Sequence, residues 1–243
     1  MRNVAAMRFA CYWGVDQGVG SGVRMVEIYV APEVADVLAL YPELSDAAFR
    51  QYPIKAQISR HADRVLAGHQ QGDRRIAMHV MCWWPSARGR SLDDVMGAAF
   101  SSEDALLTMS REYGFADWSA VLGLGDIRPE PDFEQAVDLM LAGDIAALER
   151  MIDQDENLPR RRSRYGHQAT LLHYLAANGV ESHRQVMPMN AVAMGGMLVA
   201  RGADPAAEAH MYGGGQTALA LAASSAHPRN AGLSEGLNRV LAG

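Results

Sequence analysis

Ala169-Thr170-Leu171-Leu172-His173-Tyr174-Leu175-Ala176-Ala177-Asn178-Gly179 is the stretch that decides the fold. Thr170 opens a short apolar helix, His173 follows three residues later, and Gly179 closes the segment. About two dozen residues on, Met197-Leu198-Val199-Ala200-Arg201-Gly202-Ala203-Asp204-Pro205 reads as the end of a second helix and its turn. A third piece, Gly215-Gln216-Thr217-Ala218-Leu219-Ala220-Leu221-Ala222-Ala223, opens another helix in the same way. In this order they describe one unit, two short helices and a turn, used more than once.

The first stretch resembles T-P-L-H-x-A-x-x-x-G, the opening of an ankyrin repeat, and the other two resemble the later parts of the same unit. The resemblance implies an all-α fold. In it, about three degenerate ankyrin repeats form a helical solenoid, with a helical cap on the N-terminal side. Such repeats bury their faces only against neighbours, so a short array needs caps. Thr170 and Thr217 stand 47 residues apart, well over the roughly 33 of one repeat. The excess is expected to loop out at 181–189 and 206–215, where partners or ligands are commonly met.

Composition narrows the function classes. The chain has 243 residues, 49% of them hydrophobic, with Ala, Leu, Val and Met preferred over aromatics. Small apolar residues suit close-packed helix pairs. A net charge of −6 argues against nucleic-acid binding, which needs a broad positive face. The run Arg160-Arg161-Arg162-Ser163-Arg164 is a local exception, expected to be a solvated face paired with Asp153, Asp155 and Glu156. Cys11 and Cys82 are too few and too far apart for a disulfide framework or a zinc site. No apolar run approaches the roughly 20 residues of a membrane span. The first residues lack the pattern of a secretory signal. The expectation is a soluble protein of a reducing, cytoplasmic setting, with no membrane partner, cofactor or metal.

Along the chain, residues 1–30 read as an irregular N-terminal segment, in which Met25 is an alternative start and Met25–Val30 a short strand of little structural importance. Residues 31–127 read as a helical cap domain. Its helices are expected from Pro32, over 54–68 and 76–84, from Ser101 or Ser102 to about Tyr113, and in a short turn from Trp118. Arg128-Pro129-Glu130-Pro131-Asp132 cannot continue a helix and marks the boundary to the repeat domain, 128–243. Helices there are expected over 133–142, 145–154 with Asp144 as cap, 171–178, 191–201, 217–223 and 232–241. Arg239 is placed beside the final carbonyls.

A narrower resemblance lies in three motifs. Arg111-Glu112-Tyr113-Gly114-Phe115-Ala116-Asp117-Trp118 is similar to R-E-Y/H-G-F-x-x-W of bacterial, often actinobacterial, ankyrin-repeat proteins with a helical N-terminal segment. His167 through Glu181, Arg184, Gln185, Pro188, Asn190 and Ala191 form the second motif. Tyr212-Gly213-Gly214-Gly215-Gln216-Thr217 with Ser225-Ala226-His227-Pro228 form the third. This resemblance covers roughly residues 54–243 and implies no particular reaction. The chain departs from it at Ala218, where Thr or Pro is usual.

Two functions follow as expectations. The first is a non-catalytic scaffold that binds a protein partner along its concave face and repeat turns. The alternative is a small-molecule binder or enzyme for a small anionic metabolite, its pocket built by the inserted loops. There His167 and Glu181 would move a proton and Arg184 would clamp an anion through its planar fork. Gln185, Asn190, Tyr212, Gly213 and Gly214 are the further candidate ligand contacts. His173 is a third catalytic candidate, although a Thr170–His173 hydrogen bond that holds the helix start is the simpler reading. Similarly, Glu181 and Arg184 could form a salt bridge that pins the inserted loop. A metal site from His167, His173 and His183 fits no standard spacing. The glycines after Tyr212 suit a turn needing positive φ better than a phosphate loop. Trp83, Trp84, Phe115 and Trp118 read as packing between cap and repeats. Met187, Met189, Met194 and Met197 read as core.

Overall fold

Helix starts follow from caps that act over three or four residues. Pro32 begins the helix Pro32–Leu40. Ser101 and Asp104 form a reciprocal capping box at the head of Ser102–Glu112. Asp117, Asp144 and Thr217 each accept a backbone N–H of the first turn that follows them. The computed structural model describes residues 26–243; the readings of Met25, and of Cys11 and the rest of the first 25 residues, lie outside them. Among the described residues the chain is mostly helical, with 13 α-helices, several single 3₁₀ turns and two antiparallel strand pairs.

The buried apolar residues gather in two clusters. One is built from Ile54–Gln70, Ala77–Trp83 and Ser102–Glu112, with Trp84, Phe100 and Val121. Ile54, Ile58, Ala62 and Val65 form the buried stripe of the longest helix. The other cluster runs from Phe133 to Leu241. In it Pro131–Leu141 packs on Ile145–Gln154, and Leu171–Leu175 lies between Pro131–Leu141 and Ala218–Ser224. Ala191–Ala200 packs against Ser234–Leu241. Full burial of residues such as Phe133, Leu148 and Leu172 stabilises by roughly 1.5–3 kcal/mol each.

Several expectations change. Residues 26–30 are not incidental, because Ile28–Tyr29 pairs antiparallel with Met187–Pro188 and ties the N-terminal side to the inserted segment. The segment 181–189 is not an open loop. It forms a 3₁₀ turn at Ser182–Arg184 and the buried strand Met187–Pro188, and the turn packs against Pro32–Leu40. The segment 206–215 is largely a β-hairpin, Glu208–Met211 against Gly214–Thr217. Tyr212 and Gly213 both hold positive φ, +55° and +84°, which makes the two-residue type I′ turn that matches strand twist. Leu171–Leu175 is shorter than expected because Ala177 sits at φ +46° and stops the helix. The helices Leu92–Met96 and Ala226–Asn230 were not expected.

Side-chain roles shift as well. Trp84, Phe115 and Trp118 belong to the first cluster, and Trp83 alone of the four reaches across, stacking on Tyr212 at 5.6 Å. Met189 is exposed rather than core. Arg239 pairs with exposed Glu235. In the arginine run, Arg161 pairs with Asp155 and Arg164 with Glu130, whereas Asp153 takes Arg201 instead.

Candidate functional site

Between the two apolar clusters runs a seam of buried charge. Ala105, Thr108 and Met109 mark the buried face of Ser102–Glu112, and the next position on that face is Glu112, fully buried. Its carboxylate meets His79 Nδ1 at 2.5 Å and accepts the Ser182 backbone N–H at 3.0 Å. Burial alone would push the carboxyl up. The charge and hydrogen bond of His79, with His61 and the Ser182 N–H, overcome this and bring it to about 2. The rings of Tyr41, His61 and His79 pack edgewise around the pair. Burial, then the neighbouring His79, holds His61 well below its ordinary value.

One residue further, the Tyr113 carbonyl accepts the His167 N–H at 3.3 Å, and the next residue, Gly114, lies against the His167 backbone. At φ +82° and with a backbone where its Cβ would stand, position 114 admits glycine alone without displacement. The segment Glu112-Tyr113-Gly114 is therefore the surface by which the first cluster docks on the second.

Arg184 lies at the centre of the other half of the seam, 4% exposed. Its fork donates to Glu134 Oε2 at 2.6 Å and Asp138 Oδ1 at 3.1 Å, and stands 3.6 Å from Glu181 Oε1. Arg50 reaches Asp138 from the other side. Burial opposes the guanidinium charge, but Glu134 and Glu181 outweigh it, and its pKa rises. Burial raises the Glu134 carboxyl, with Arg184 pulling the other way. Glu181 is opposed by burial yet held at about 2 by His167 and Arg184.

His167 Nδ1 accepts the Ala169 N–H at 3.0 Å, which leaves Nε2 aimed at Glu181 Oε2 at 3.5 Å. That is beyond a good hydrogen bond, and both atoms have no hydrogen-bond partner among the described residues. The structure thus brings His167, Glu181 and Arg184 together but turns them on one another, enclosed by Tyr174, Glu134 and Tyr165. The anion clamp expected of Arg184 is taken up by this chain's own carboxylates. The Glu181–Arg184 pair that pins the inserted segment is the arrangement found.

The other candidates separate. His173 Nδ1 lies 2.8 Å from Thr170 Oγ1 and accepts the Thr170 N–H, while Nε2 faces the Gln216 carbonyl at 3.0 Å. Burial lowers it to about 4, a neutral ring that holds the helix start against the hairpin. Asn190 donates to the Gly143 carbonyl and Gln185 to that of Val180. Gly213 and Gly214 serve the hairpin. No group of three or more His, Cys, Asp or Glu among the described residues is arranged to hold a metal, and no described helix is long and apolar enough to cross a membrane.

Tyr212 and Gln185 meet elsewhere, in a groove of about 390 Å³ between the Ala77–Trp83 helix and the hairpin. Met78, Met81, Cys82 and Trp83 line one side, and Tyr212, Asn178 and His227 the other, with Glu33 at its edge. Tyr212 is 59% exposed, lies flat on Trp83 with 5° between the rings, and donates its hydroxyl to Asn178. Sequence reasoning did not place the helix 77–83 in a binding surface. The signal for Glu134 was present, since it is a carboxylate among the apolar buried residues Phe133, Ala136, Val137 and Met140, whereas Glu112 shares its buried face with Thr108 and Ser110.

Comparison with protein-family profiles, curated proteins and solved structures finds no match to this chain.

The buried histidines set a pH dependence. Burial lowers His183 to about 3 and His173 to about 4, from 6.5 when unfolded. A histidine lowered by folding takes its proton first in the unfolded chain, so stability is complete above pH 6.5 and falls as the pH drops towards those values. The carboxylates of Glu112 and Glu181, lowered from 4.5, add a further loss below pH 4.5. A melting temperature lower by roughly 5–10 °C at pH 5 than at pH 7.5 is expected. Differential scanning calorimetry across that range checks it, and a flat profile would mean that the buried rings take up protons as readily in the folded chain as in the unfolded one.

Proposed function

We propose that this protein is a non-catalytic binding protein of ankyrin-repeat type, which recognises a segment of another protein in the groove between the Ala77–Trp83 helix and the Tyr212 hairpin. The repeat reading is supported by the order of packing, with the opening helices of successive units side by side and the second helices behind them. A hairpin turn before the Thr217 cap also fits that unit. The observation that carries the binding reading is the groove itself. Large apolar side chains, Met81, Trp83 and Tyr212, are left accessible where two independently cored halves meet. Tyr212 is held in place by both its ring and its hydroxyl, so little ordering remains to be done on binding. Aromatic anchors of this kind carry most of the energy at protein interfaces. A proton-transfer reading gains no such support, because His167, Glu181 and Arg184 are turned inwards.

The test selects binders from a random peptide library with the immobilised full chain and measures them by calorimetry. Peptides with an apolar or aromatic anchor are expected. Tyr212→Ala and Trp83→Ala should each weaken binding by roughly tenfold or more, and Arg150→Gln, on the exposed side of Ile145–Gln154, should leave it unchanged. Peptides that bind Tyr212→Ala and Trp83→Ala as well as the parent would place recognition elsewhere and overturn this reading.

A further inference from the structure

Beyond Met81, Cys82 and Trp83, the groove continues into a second hollow of about 290 Å³ with a different lining. These three residues wall both spaces, so the two hollows adjoin. The second is lined by Arg88, Arg90 and Arg111. Arg88 and Arg90 come from the turn after the Pro85–Ala87 3₁₀ helix, whereas Arg111 comes from the last turn of Ser102–Glu112, facing away from its buried neighbour Glu112. Two separate elements therefore send guanidinium groups to one concave site.

No carboxylate pairs with Arg88 or Arg111 among the described residues. Arg90 donates to the Asp94 backbone carbonyl at 2.6 Å, and its charge is partly offset by the Asp94 carboxylate. Arg88 and Arg111 have neither an ion pair nor a side-chain hydrogen bond among the described residues. By contrast Arg50, Arg64, Arg74, Arg161, Arg184 and Arg201 all meet an Asp or Glu. In a chain of net charge −6, two unpaired cations beside a third around one hollow are a local reversal of sign. A concave wall focuses such a field, and the guanidinium fork matches a carboxylate in two-point geometry.

We propose that this hollow is an anion subsite, which takes the carboxylate of an acidic side chain in the protein segment bound along the groove. The inference rests on the protein-recognition reading above and gives that segment its chemistry: an apolar anchor against Tyr212 and Trp83, and an Asp or Glu towards Arg88 and Arg111.

Cys82 lies on the wall shared by the two hollows and gives a direct probe. In a Cys11→Ser background, Cys82 is alkylated in turn with iodoacetate and with iodoacetamide, and the ratio of rates is compared with that of the uncharged N-acetylcysteine amide. Thiolate content cancels in this ratio, leaving the attraction of the site for a carboxylate. A ratio roughly tenfold above the reference is expected. Arg88→Gln with Arg111→Gln should return it to the reference while the iodoacetamide rate stays unchanged, which also reports an intact fold. Arg150→Gln should leave the raised ratio in place. In a second arm, Asp→Asn or Glu→Gln in a selected peptide should weaken binding by roughly tenfold to the parent chain and not to the double variant. A ratio equal to that of N-acetylcysteine amide in the parent would overturn the subsite and leave the groove reading intact. A raised ratio with no peptide selected would retain the anion site and overturn its assignment to a protein segment.

Discussion

Glu112→Ala is expected to lower the free energy of unfolding by about 3–5 kcal/mol, the cost of stranding the partners of a buried, hydrogen-bonded carboxylate. The carboxylate is fully buried and bridges both halves of the molecule, with His79 on one side and the Ser182 N–H on the other. Removing it leaves an imidazole and a backbone donor without their acceptor. Urea unfolding at pH 7 measures the loss. His79→Ala in the same background should add less than it costs alone, because the two changes share one interaction. Strict additivity would assign the loss to packing rather than to the pair. Peptide binding in the groove should fall as well, since the Ala77–Trp83 helix carries both His79 and Trp83.

Arg184→Ala should cost a similar amount, about 3–5 kcal/mol at pH 7, for the opposite reason. It leaves Glu134 and Glu181 buried without their cation, and Asp138 with Arg50 alone. Stranded carboxylates take up protons more readily. The deficit relative to the parent is therefore expected to shrink as the pH falls from 7 to 5. Unfolding measured at both values tests this, and a deficit of the same size at both would attribute the loss to packing against Tyr174. Arg184→Lys should recover only part, since a single ammonium cannot reproduce the fork that joins Glu134 and Asp138. Groove binding by Arg184→Ala, measured on the folded protein, should remain within a few-fold of the parent, because the guanidinium faces the seam.

Some of this could be read from the residues in order. Pro32, Ser101, Asp117, Asp144 and Thr217 mark helix starts because a cap bonds the first turn beside it in sequence. The Thr170–His173 bond was legible for the same reason, as was the turn role of Gly213. The hairpin over 208–217 was harder to find, since its strands are four residues each and rich in Gly and Ala rather than β-branched residues. His167, Glu181 and Arg184 stood out correctly as unusual. Their sequence could not say whether they faced a ligand or one another, and Glu134, which decides the matter, lies 50 residues from Arg184.

The sequence by itself determined most of the helices and their caps, because these depend on periodicity and on bonds between near neighbours. Only the tertiary structure decided that a charged seam joins the two halves and that an open groove lies beside it. His79, Glu112 and Ser182 come from three distant segments, as do Trp83 and Tyr212. Whether a charge meets its opposite, an aromatic ring or water depends on where the packed helices bring those segments together. Local propensity carries no information about that.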